Sequence, residues 1–200
     1  MSKDFNDLIK NRRSIYAIGK NVKFSADEVA ELIQTTVANS PSAFNSQTSR
    51  VVILFNQEHQ KYWDIVKEVL KPFAPNEEAA AATNAKIDSF AAGFGTALFF
   101  EDQDVVKTLQ DQFPGYADNF PIWSEQSTGI AQFAVWTALA EQGIGASLQH
   151  YNPLVDEKVA AQWNLPANWK LRAQLVFGSI EASAGEKEYM DRAQRFRVFK

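Results

Sequence analysis

Apolar residues recur at helical or strand spacing along most of the chain, and this spacing predicts its secondary structure. Phe5, Leu8 and Ile9 predict a short opening helix that ends near Arg12. Helical spacing predicts further helices over residues 25–38, 63–70, 77–92, 105–113, 124–142 and 153–163. Continuous or alternating apolar runs predict strands over residues 50–55, 96–100, 147–149 and 170–177.

Local signals mark where several of these elements begin and end. Ser25 and Glu28 form an S-x-x-E capping box, and Gly93 and Gly143 end two helices. Asn152-Pro153 predicts an N-cap followed by proline at the first helical position. Helices outnumber strands, and the strands are scattered between them. The pattern predicts an α+β domain in which helices cover both faces of a sheet.

Composition narrows the class of protein. The chain has 200 residues, 46% of them hydrophobic, and a net charge of -4, which is unlike a nucleic-acid-binding protein. The absence of cysteine excludes disulfides, cysteine-ligated metal and a thiol nucleophile. No apolar run approaches the length of a membrane span and the first residues lack a leader pattern. We therefore expect a cytoplasmic protein with no nucleic-acid or membrane partner.

The chain carries no repeat, linker or low-complexity segment, so residues 1–200 are predicted to form a single domain. From about residue 183 onward it is polar and basic and has no apolar period. Such a tail cannot bury enough apolar surface to fold alone. We expect residues 183–200 to wrap over the cofactor or a partner.

Arginines near both ends of the chain predict a site for an anion. Arg12, Arg13 and Ser14 follow the first helix, and Arg195 and Arg197 lie in the tail. The guanidinium fork suits phosphate, and the two tail arginines would face the same way in an extended segment. Neither a GxGxxG nor a Walker phosphate loop is present. Taken singly, each arginine is also consistent with a solvated residue at a helix end or in a disordered tail.

Other polar residues point to a ring-shaped ligand rather than to a metal or a hydrolytic centre. Ser42, Asn45 and Gln47 offer donors and acceptors that suit a flat heterocycle, although such residues are also common in turns. His59 and His150 have no partner at metal-ligand spacing, and His59 is predicted to be a solvated helix residue. No Ser/His/Asp triad pattern is present.

Four motifs together resemble the FMN-dependent nitroreductase family over essentially the whole chain. They are Asn11-Arg12-Arg13-Ser14, the Ser-Pro-Ser-x-x-Asn-Ser-Gln loop at 40–47, the turn and strand at 143–150, and the closing Arg-x-Arg. The chain is most similar to the short branch that holds fatty-acid-repression proteins and the copper-induced nitroreductase of lactic acid bacteria. The resemblance implies a three-layer α/β/α sandwich with a mixed, mainly antiparallel sheet. It also implies a homodimer with two FMN sites at the subunit interface.

The resemblance further implies which residues bind the flavin. One subunit would hold the phosphate and the flavin edge with Arg12, Arg13, Ser14, Arg195 and Arg197, and Tyr16 occupies a further cofactor-binding position. The other subunit would present Pro41, Ser42, Ala43, Asn45 and Gln47 to the ring. The segment beside flavin N5 falls on Ser147, Leu148, Gln149 and His150, and Asn84 and Lys86 match a helical Asn/Lys pair.

Three positions depart from the common family pattern. Tyr16 replaces a usual Lys or Arg, Thr48 replaces a usual proline, and Gln149-His150 replaces the Glu-Gly often found beside N5. These departures concern the acceptor and the choice between NADH and NADPH more than flavin binding itself.

The activity implied is that of an FMN-dependent NAD(P)H oxidoreductase that reduces nitroaromatics, quinones or similar oxidants by ping-pong hydride transfer. NAD(P)H and a small aromatic or quinone acceptor would be its partners, with no catalytic acid or base and no metal. Two alternatives stay open at this point. One is a flavin-binding regulatory or stress-sensor protein with little turnover, and the other is an adaptor whose arginine tail docks an acidic partner.

Overall fold

The computed structural model describes residues 4–200, in which helices and strands alternate along the chain. The helices are α1 (Phe5–Asn11), α2 (Ala26–Ala38), α3 (Asn56–Leu70), α4 (Glu77–Ala91), α5 (Gln103–Gln112), α6 (Asn119–Glu141), α7 (Asp156–Gln162) and α8 (Arg192–Arg195). The strands are β1 (Ile18–Gly19), β2 (Ser49–Phe55), β3 (Gly95–Asp102), β4 (Gly145–Gln149) and β5 (Trp169–Ile180). Short 3-10 turns occur at Ala43–Asn45, Lys71–Phe73 and Pro114–Tyr116.

The five strands form one sheet built around β5. One edge of β5 pairs with β3, which in turn pairs with the edge strand β2. The opposite edge pairs with β4, and β1 pairs with the end of β5 at Ser179 and Ile180. All these ladders are antiparallel, and a single parallel bridge joins Ser14 to Ala146. The sheet is therefore mixed and mainly antiparallel, as predicted.

Helices cover both faces of this sheet. Alternate residues of β3 point to opposite sides, so that Phe99 packs with α2 and α6 while Leu98 packs with α3, α4 and α7. Trp63 of α3 and Leu139 of α6 are fully buried, one in each of the two apolar layers. The predicted α+β class and the three-layer α/β/α arrangement are confirmed.

The capping box at the start of α2 forms as predicted. The Glu28 amide donates to Ser25 Oγ at 3.2 Å, and the Ser25 amide donates to Glu28 Oε2 at 2.8 Å. Both bonds satisfy amides that the first helical turn leaves without an intrahelical partner. None of the helices within 4–200 is long and apolar enough to cross a membrane.

Three local predictions are wrong. The segment at 152–155 forms a turn, and α7 begins only at Asp156, so Pro153 is not its first residue. The continuous apolar run at 51–55 also predicts a strand buried on both faces, whereas β2, the edge strand, is mostly half-buried. The tail contains one helical turn, α8, whose N-cap Asp191 accepts from the amides of Ala193 and Gln194.

His59 is buried, so the prediction that it is a solvated helix residue is also wrong. Its Nε2 lies 3.2 Å from the Ala91 carbonyl, which can only accept, so Nε2 carries the proton. Its Nδ1 then accepts from the Thr96 hydroxyl at 2.9 Å, and that hydroxyl accepts from Trp63 Nε1–H at 3.0 Å. This chain of bonds is satisfied only when His59 is neutral.

We expect His59 to make the protein less stable in mild acid. Burial is the main cause that lowers its pKa from 6.5 to about 4. The unfolded chain then binds this proton more tightly than the folded state. The contribution of neutral His59 to the free energy of unfolding is therefore complete above pH 6.5. It is lost as the pH falls from 6.5 to 4, by at most about 3 kcal/mol.

Urea unfolding of the apoprotein at several pH values tests this prediction. His59→Gln should flatten the dependence between pH 6.5 and 4, whereas His150→Gln, at the exposed second histidine, should leave it unchanged. The same acid dependence in wild type and His59→Gln would contradict this explanation.

Candidate functional site

The segment that links α1 to β1 lies along the edge of β4. Ser14 forms a parallel bridge with Ala146, and the Ile15 amide donates to the Ala146 carbonyl at 2.9 Å. Backbone groups of successive residues in a strand point to opposite edges, so the Leu148 amide lies on the same edge as Ala146. Two groups of predicted site residues, at 12–14 and 147–150, are thus neighbours although they are far apart in sequence.

Arg12 is held in a partly buried position by an aromatic side chain. Its guanidinium carbon lies 4.3 Å from the centroid of the Trp136 ring, and Trp136 Nε1–H donates to the Ala146 carbonyl at 3.1 Å. Arg12 Nε is buried and has no hydrogen-bond partner. Burial, followed by the charge of Arg13, lowers the pKa of Arg12. An anion bound beside Arg12 and Arg13 would offset the repulsion between the two cations, and a turn of the Arg12 side chain would bring its buried Nε–H to that anion.

A cavity of about 490 Å³ opens beside this segment. Residues 12–17 line one side, including Arg12, Arg13, Ser14 and Tyr16, and residues 182–187 line the other. Arg13 Nη2 donates to the Gly185 carbonyl at 2.8 Å across it. Two guanidinium groups, a hydroxyl and an exposed aromatic ring therefore share one cavity at the edge of the sheet.

The loop at 40–47 adopts a strained conformation that neighbouring side chains hold in place. Phe44, Asn45 and Gln47 have positive φ values of 57°, 50° and 50°. Ser42 Oγ accepts from the Gln47 amide at 2.9 Å. Arg50 was not predicted to be a site residue, yet its Nη1 donates to the Gln47 carbonyl at 2.6 Å. The loop thus has a defined shape despite its polar, turn-like composition.

This loop borders a second, smaller cavity. Its volume is about 150 Å³, and Pro41, Ser42, Gln47 and Arg50 are among the residues that line it. Within the described chain it shares no lining residue with the cavity beside Arg12. One chain therefore carries two separate sets of candidate ligand-binding groups rather than one closed site.

Four further predicted residues lie at the end of β4, with Ser147, Leu148 and Gln149 in the strand and His150 directly after it. Ser147 is buried, Leu148 and Gln149 are half-buried, and His150 is exposed. Gln149 Nε2 donates to Ser147 Oγ at 3.0 Å, which fixes the amide side chain along the strand. Of these residues, Leu148 directs its backbone groups to the edge occupied by the 12–14 segment, whereas the backbone groups of Ser147 and Gln149 face β5.

The structure does not bring Asn84 and Lys86 to these residues within one chain. Both are exposed on α4. Asn84 borders a different cavity of about 330 Å³, together with Lys67 and Lys71. Their assignment to the site stays a prediction.

The tail arginines do not line the cavity beside Arg12 and Arg13. Arg195 ends α8 and stacks on the Phe196 ring, with 5.6 Å between its guanidinium carbon and the ring centroid. Arg197 Nη1 donates to the carbonyls of Ala193 and Phe196. Because Arg195 is helical, the two side chains are not related by the extended alternation that the sequence suggested. Among residues 4–200, no hydrogen bond joins either arginine to the 12–14 segment.

The available groups suit a phosphorylated, flat cofactor rather than a metal. Within residues 4–200 there is no group of three or more His, Cys, Asp or Glu that could hold a metal ion. Arg12 offers an unpaired buried donor, Arg13 and Ser14 lie next to it, and β4 presents backbone amides at the same edge. These donors match the phosphate and the ring carbonyls of FMN.

Comparisons with known proteins identify the relatives of this chain. A family model described as the nitroreductase family matches residues 9–179. The putative nitroreductase HBN1 of Saccharomyces cerevisiae is 36% identical over 181 residues, which is 90% of this chain and 89% of that protein.

Solved structures of nitroreductase CinD from Lactococcus lactis are similar over the whole fold. The complex with nicotinic acid gives a TM-score of 0.92 at 59% identity, covering 98% of this chain and 100% of that one. The complex with 4-nitrophenol gives 0.90 at 58% identity with the same coverage.

Proposed function

Because the chain belongs to the nitroreductase family, whose members are flavoprotein oxidoreductases, we propose that it is an FMN-dependent NAD(P)H oxidoreductase. Its electron acceptors would be nitroaromatics, quinones or similar flat oxidants. The observation that carries the proposal is the buried, unpartnered Arg12 Nε at the edge of β4, beside Arg13 and Ser14.

In this proposal Arg12, Arg13 and Ser14 bind the phosphate and the charged edge of FMN. The Trp136 ring packs against the Arg12 guanidinium group. Because guanidinium N–H groups point outward in the plane of the group, a ring on its face leaves them able to bind a ligand. The negative charge of a bound phosphate would also offset the repulsion between the cations Arg12 and Arg13. The Leu148 amide would donate to a ring nitrogen or carbonyl from the edge of β4 beside the 12–14 segment.

The complete site is proposed to need two copies of the chain. The polar loop at 41–47 and the arginine cavity are separate in one chain, so the loop of one copy would reach the flavin held by the other. An unpartnered apolar surface supports the pairing, since Ile122, Ile130 and Phe133 of α6 and Phe5 of α1 are exposed. We propose that this surface is the interface of a homodimer.

When bound, FMN supplies hydride transfer, which no protein side chain provides. The task of the protein is then to position the ring and to balance charge. The cations Arg12 and Arg13 would stabilise negative charge on the ligand. The half-buried edge of β4 would keep water from one side of it. We assign no side chain as a proton donor or acceptor and no metal.

Structures of a relative support the proposed acceptor class. CinD has been crystallised with nicotinic acid and with 4-nitrophenol, and both are small aromatic rings. We propose that this chain accepts a nicotinamide and a nitroaromatic or quinone in turn at the same place.

Steady-state kinetics test the proposed reaction. With the FMN-loaded protein, double-reciprocal plots against NADH at several acceptor concentrations should be parallel, because one position serves donor and acceptor alternately. Intersecting lines would contradict this ping-pong scheme. Flavin-containing protein that NADH and NADPH reduce only very slowly would instead favour the regulatory alternative, and protein that binds no flavin would favour the adaptor.

We expect Arg197→Ala to weaken FMN binding about tenfold to hundredfold. A charge-assisted hydrogen bond contributes roughly 1.5–3 kcal/mol, and the carbonyls that Arg197 contacts in the tail are replaceable partners. Fluorescence titration with FMN measures the effect. Arg192→Ala, which removes a cation from the start of the same helical turn, is the matched control.

Circular dichroism checks that both tail variants keep the fold. Equal FMN affinity in wild type, Arg192→Ala and Arg197→Ala would show that the tail is not part of the site.

A further inference from the structure

The loop at 40–47 places one aromatic side chain within a group of aromatic rings that the flavin site does not explain. Phe44 lies 5.1 Å from Phe113, 5.4 Å from Phe120 and 5.9 Å from Trp123 between ring centroids. The Trp123 ring is stacked on Phe44, with 20° between the two planes, and Tyr116 lies 6.5 Å away. We call these five residues the aromatic wall.

The wall is exposed at its outer side. Phe44 and Tyr116 are each 53% exposed, whereas Phe120 is buried. Phe44 also adopts a φ of 57°, which a bulky side chain rarely does. Such strained residues cluster at active sites, ligand clamps and switch regions. The fold therefore keeps the Phe44 ring in contact with solvent, although exposure of an apolar ring to water and its backbone conformation are both unfavourable.

A cavity of about 330 Å³ borders Phe44, the one residue of the aromatic wall among those that line it. Phe44, Val105 and Leu109 give it apolar surface, and Asn45, Ser46 and Thr108 give it neutral polar groups. Asp104 is its single charged lining residue, and it is acidic. The residues that line this cavity favour a flat, uncharged ring that can stack or pack edge-on, and they disfavour an anion.

We propose that the aromatic wall binds the ring of the electron acceptor and that Phe44 selects uncharged acceptors of two fused rings over those of one ring. The inference rests on the proposed function, because Phe44 lies between Ala43 and Asn45, the residues that would face the flavin. An acceptor on the flavin would then have Phe44 at its side, and a second fused ring would extend toward Phe113 and Trp123.

The test compares two quinones with the FMN-loaded enzyme. Menadione has two fused rings and benzoquinone has one. Phe44→Ala should lower kcat/KM for menadione about tenfold, equivalent to about 1.4 kcal/mol, mainly through KM. The loss for benzoquinone should be less than about threefold, because its single ring gains little contact with the wall. Phe44→Leu, which keeps apolar area but not the ring, should fall between wild type and Phe44→Ala.

Phe73→Ala is the matched control. Phe73 is 66% exposed and lies in the turn after α3, outside the wall. This variant should keep the wild-type ratio of the two kcat/KM values. If Phe44→Ala does not fold, Phe113→Leu tests the same wall from α5's end and should change the ratio in the same direction.

Each other outcome overturns the inference in a recognisable way. An unchanged ratio in Phe44→Ala, with normal flavin content and normal reduction by NADH, refutes the aromatic wall but not the proposed function. Dissociation of a dimer by Phe44→Ala with an unchanged ratio would make the wall an interface between copies. Wild-type protein that binds no FMN would refute the proposed function and this inference together.

Discussion

Arg12→Ala is expected to abolish the retention of FMN during purification and to weaken binding at least about a hundredfold. Arg12 is the cation that the fold prepares most completely, because Trp136 orients its guanidinium group and leaves Nε buried without a partner. One charge-assisted hydrogen bond contributes roughly 1.5–3 kcal/mol, and a guanidinium fork can make two to a phosphate. The loss of both exceeds the loss expected at the tail.

Titration of apoprotein with FMN, followed by fluorescence, measures the effect. Arg12→Lys is the informative comparison, since lysine keeps the charge but lacks the planar fork. It should bind FMN more tightly than Arg12→Ala and about tenfold more weakly than wild type. Wild-type affinity in Arg12→Ala would show that the cavity beside β4 does not hold the phosphate.

Gly178→Ala is expected to destabilise the fold by about 3 kcal/mol, the upper end of the usual cost of overpacking. A Cβ atom on Gly178 would lie 2.2 Å from the Gly19 carbonyl oxygen and 3.0 Å from the Phe94 amide nitrogen. Both are backbone atoms of the sheet region, since Gly19 pairs with Ser179 and the Phe94 amide donates to the Phe177 carbonyl. Neither can move without breaking these pairings, so the overlap cannot be relieved cheaply.

The same substitution should also reduce FMN binding. Gly178 pairs with Gly145 at the start of β4, and β1 leads directly from the segment that carries Arg12. Displacing β1 would shift that segment along β4. Urea unfolding and FMN titration measure the two effects. Gly115→Ala, where no atom lies within 4 Å of the new Cβ, should leave both unchanged. A stability loss below about 1 kcal/mol in Gly178→Ala would contradict the packing argument.

Elements with a strong local signal were predictable from the sequence. The capping box of Ser25 and Glu28 fixes the start of α2, and the sequence locates both ends of the alanine-rich α4 and the end of α6 to within one residue. β1 was not predictable, because two residues show no alternation and pair only through contact with β5. The start of α7 was misplaced because Asn-Pro suits a turn as well as an N-cap.

The candidate site shows the same division. Its residue types were predictable, since guanidinium, hydroxyl and amide groups have the chemistry of a phosphate and ring site. Its tertiary contacts were not. Trp136 packs against Arg12, and Arg50 donates to the loop at 40–47. Neither Trp136 nor Arg50 belongs to a sequence motif, and folding alone brings them to these positions. The burial of His59 was hidden in the same way, because Thr96 and Ala91 come from other elements.

Light scattering with in-line visible absorbance tests the central claim most directly, namely that two copies of the chain build an FMN site around Arg12. We predict a species of twice the 22.4 kDa chain mass that absorbs in the flavin bands, with about one FMN per chain. Colourless protein that cannot be reconstituted with FMN, or an FMN-loaded monomer at micromolar concentration, would contradict it.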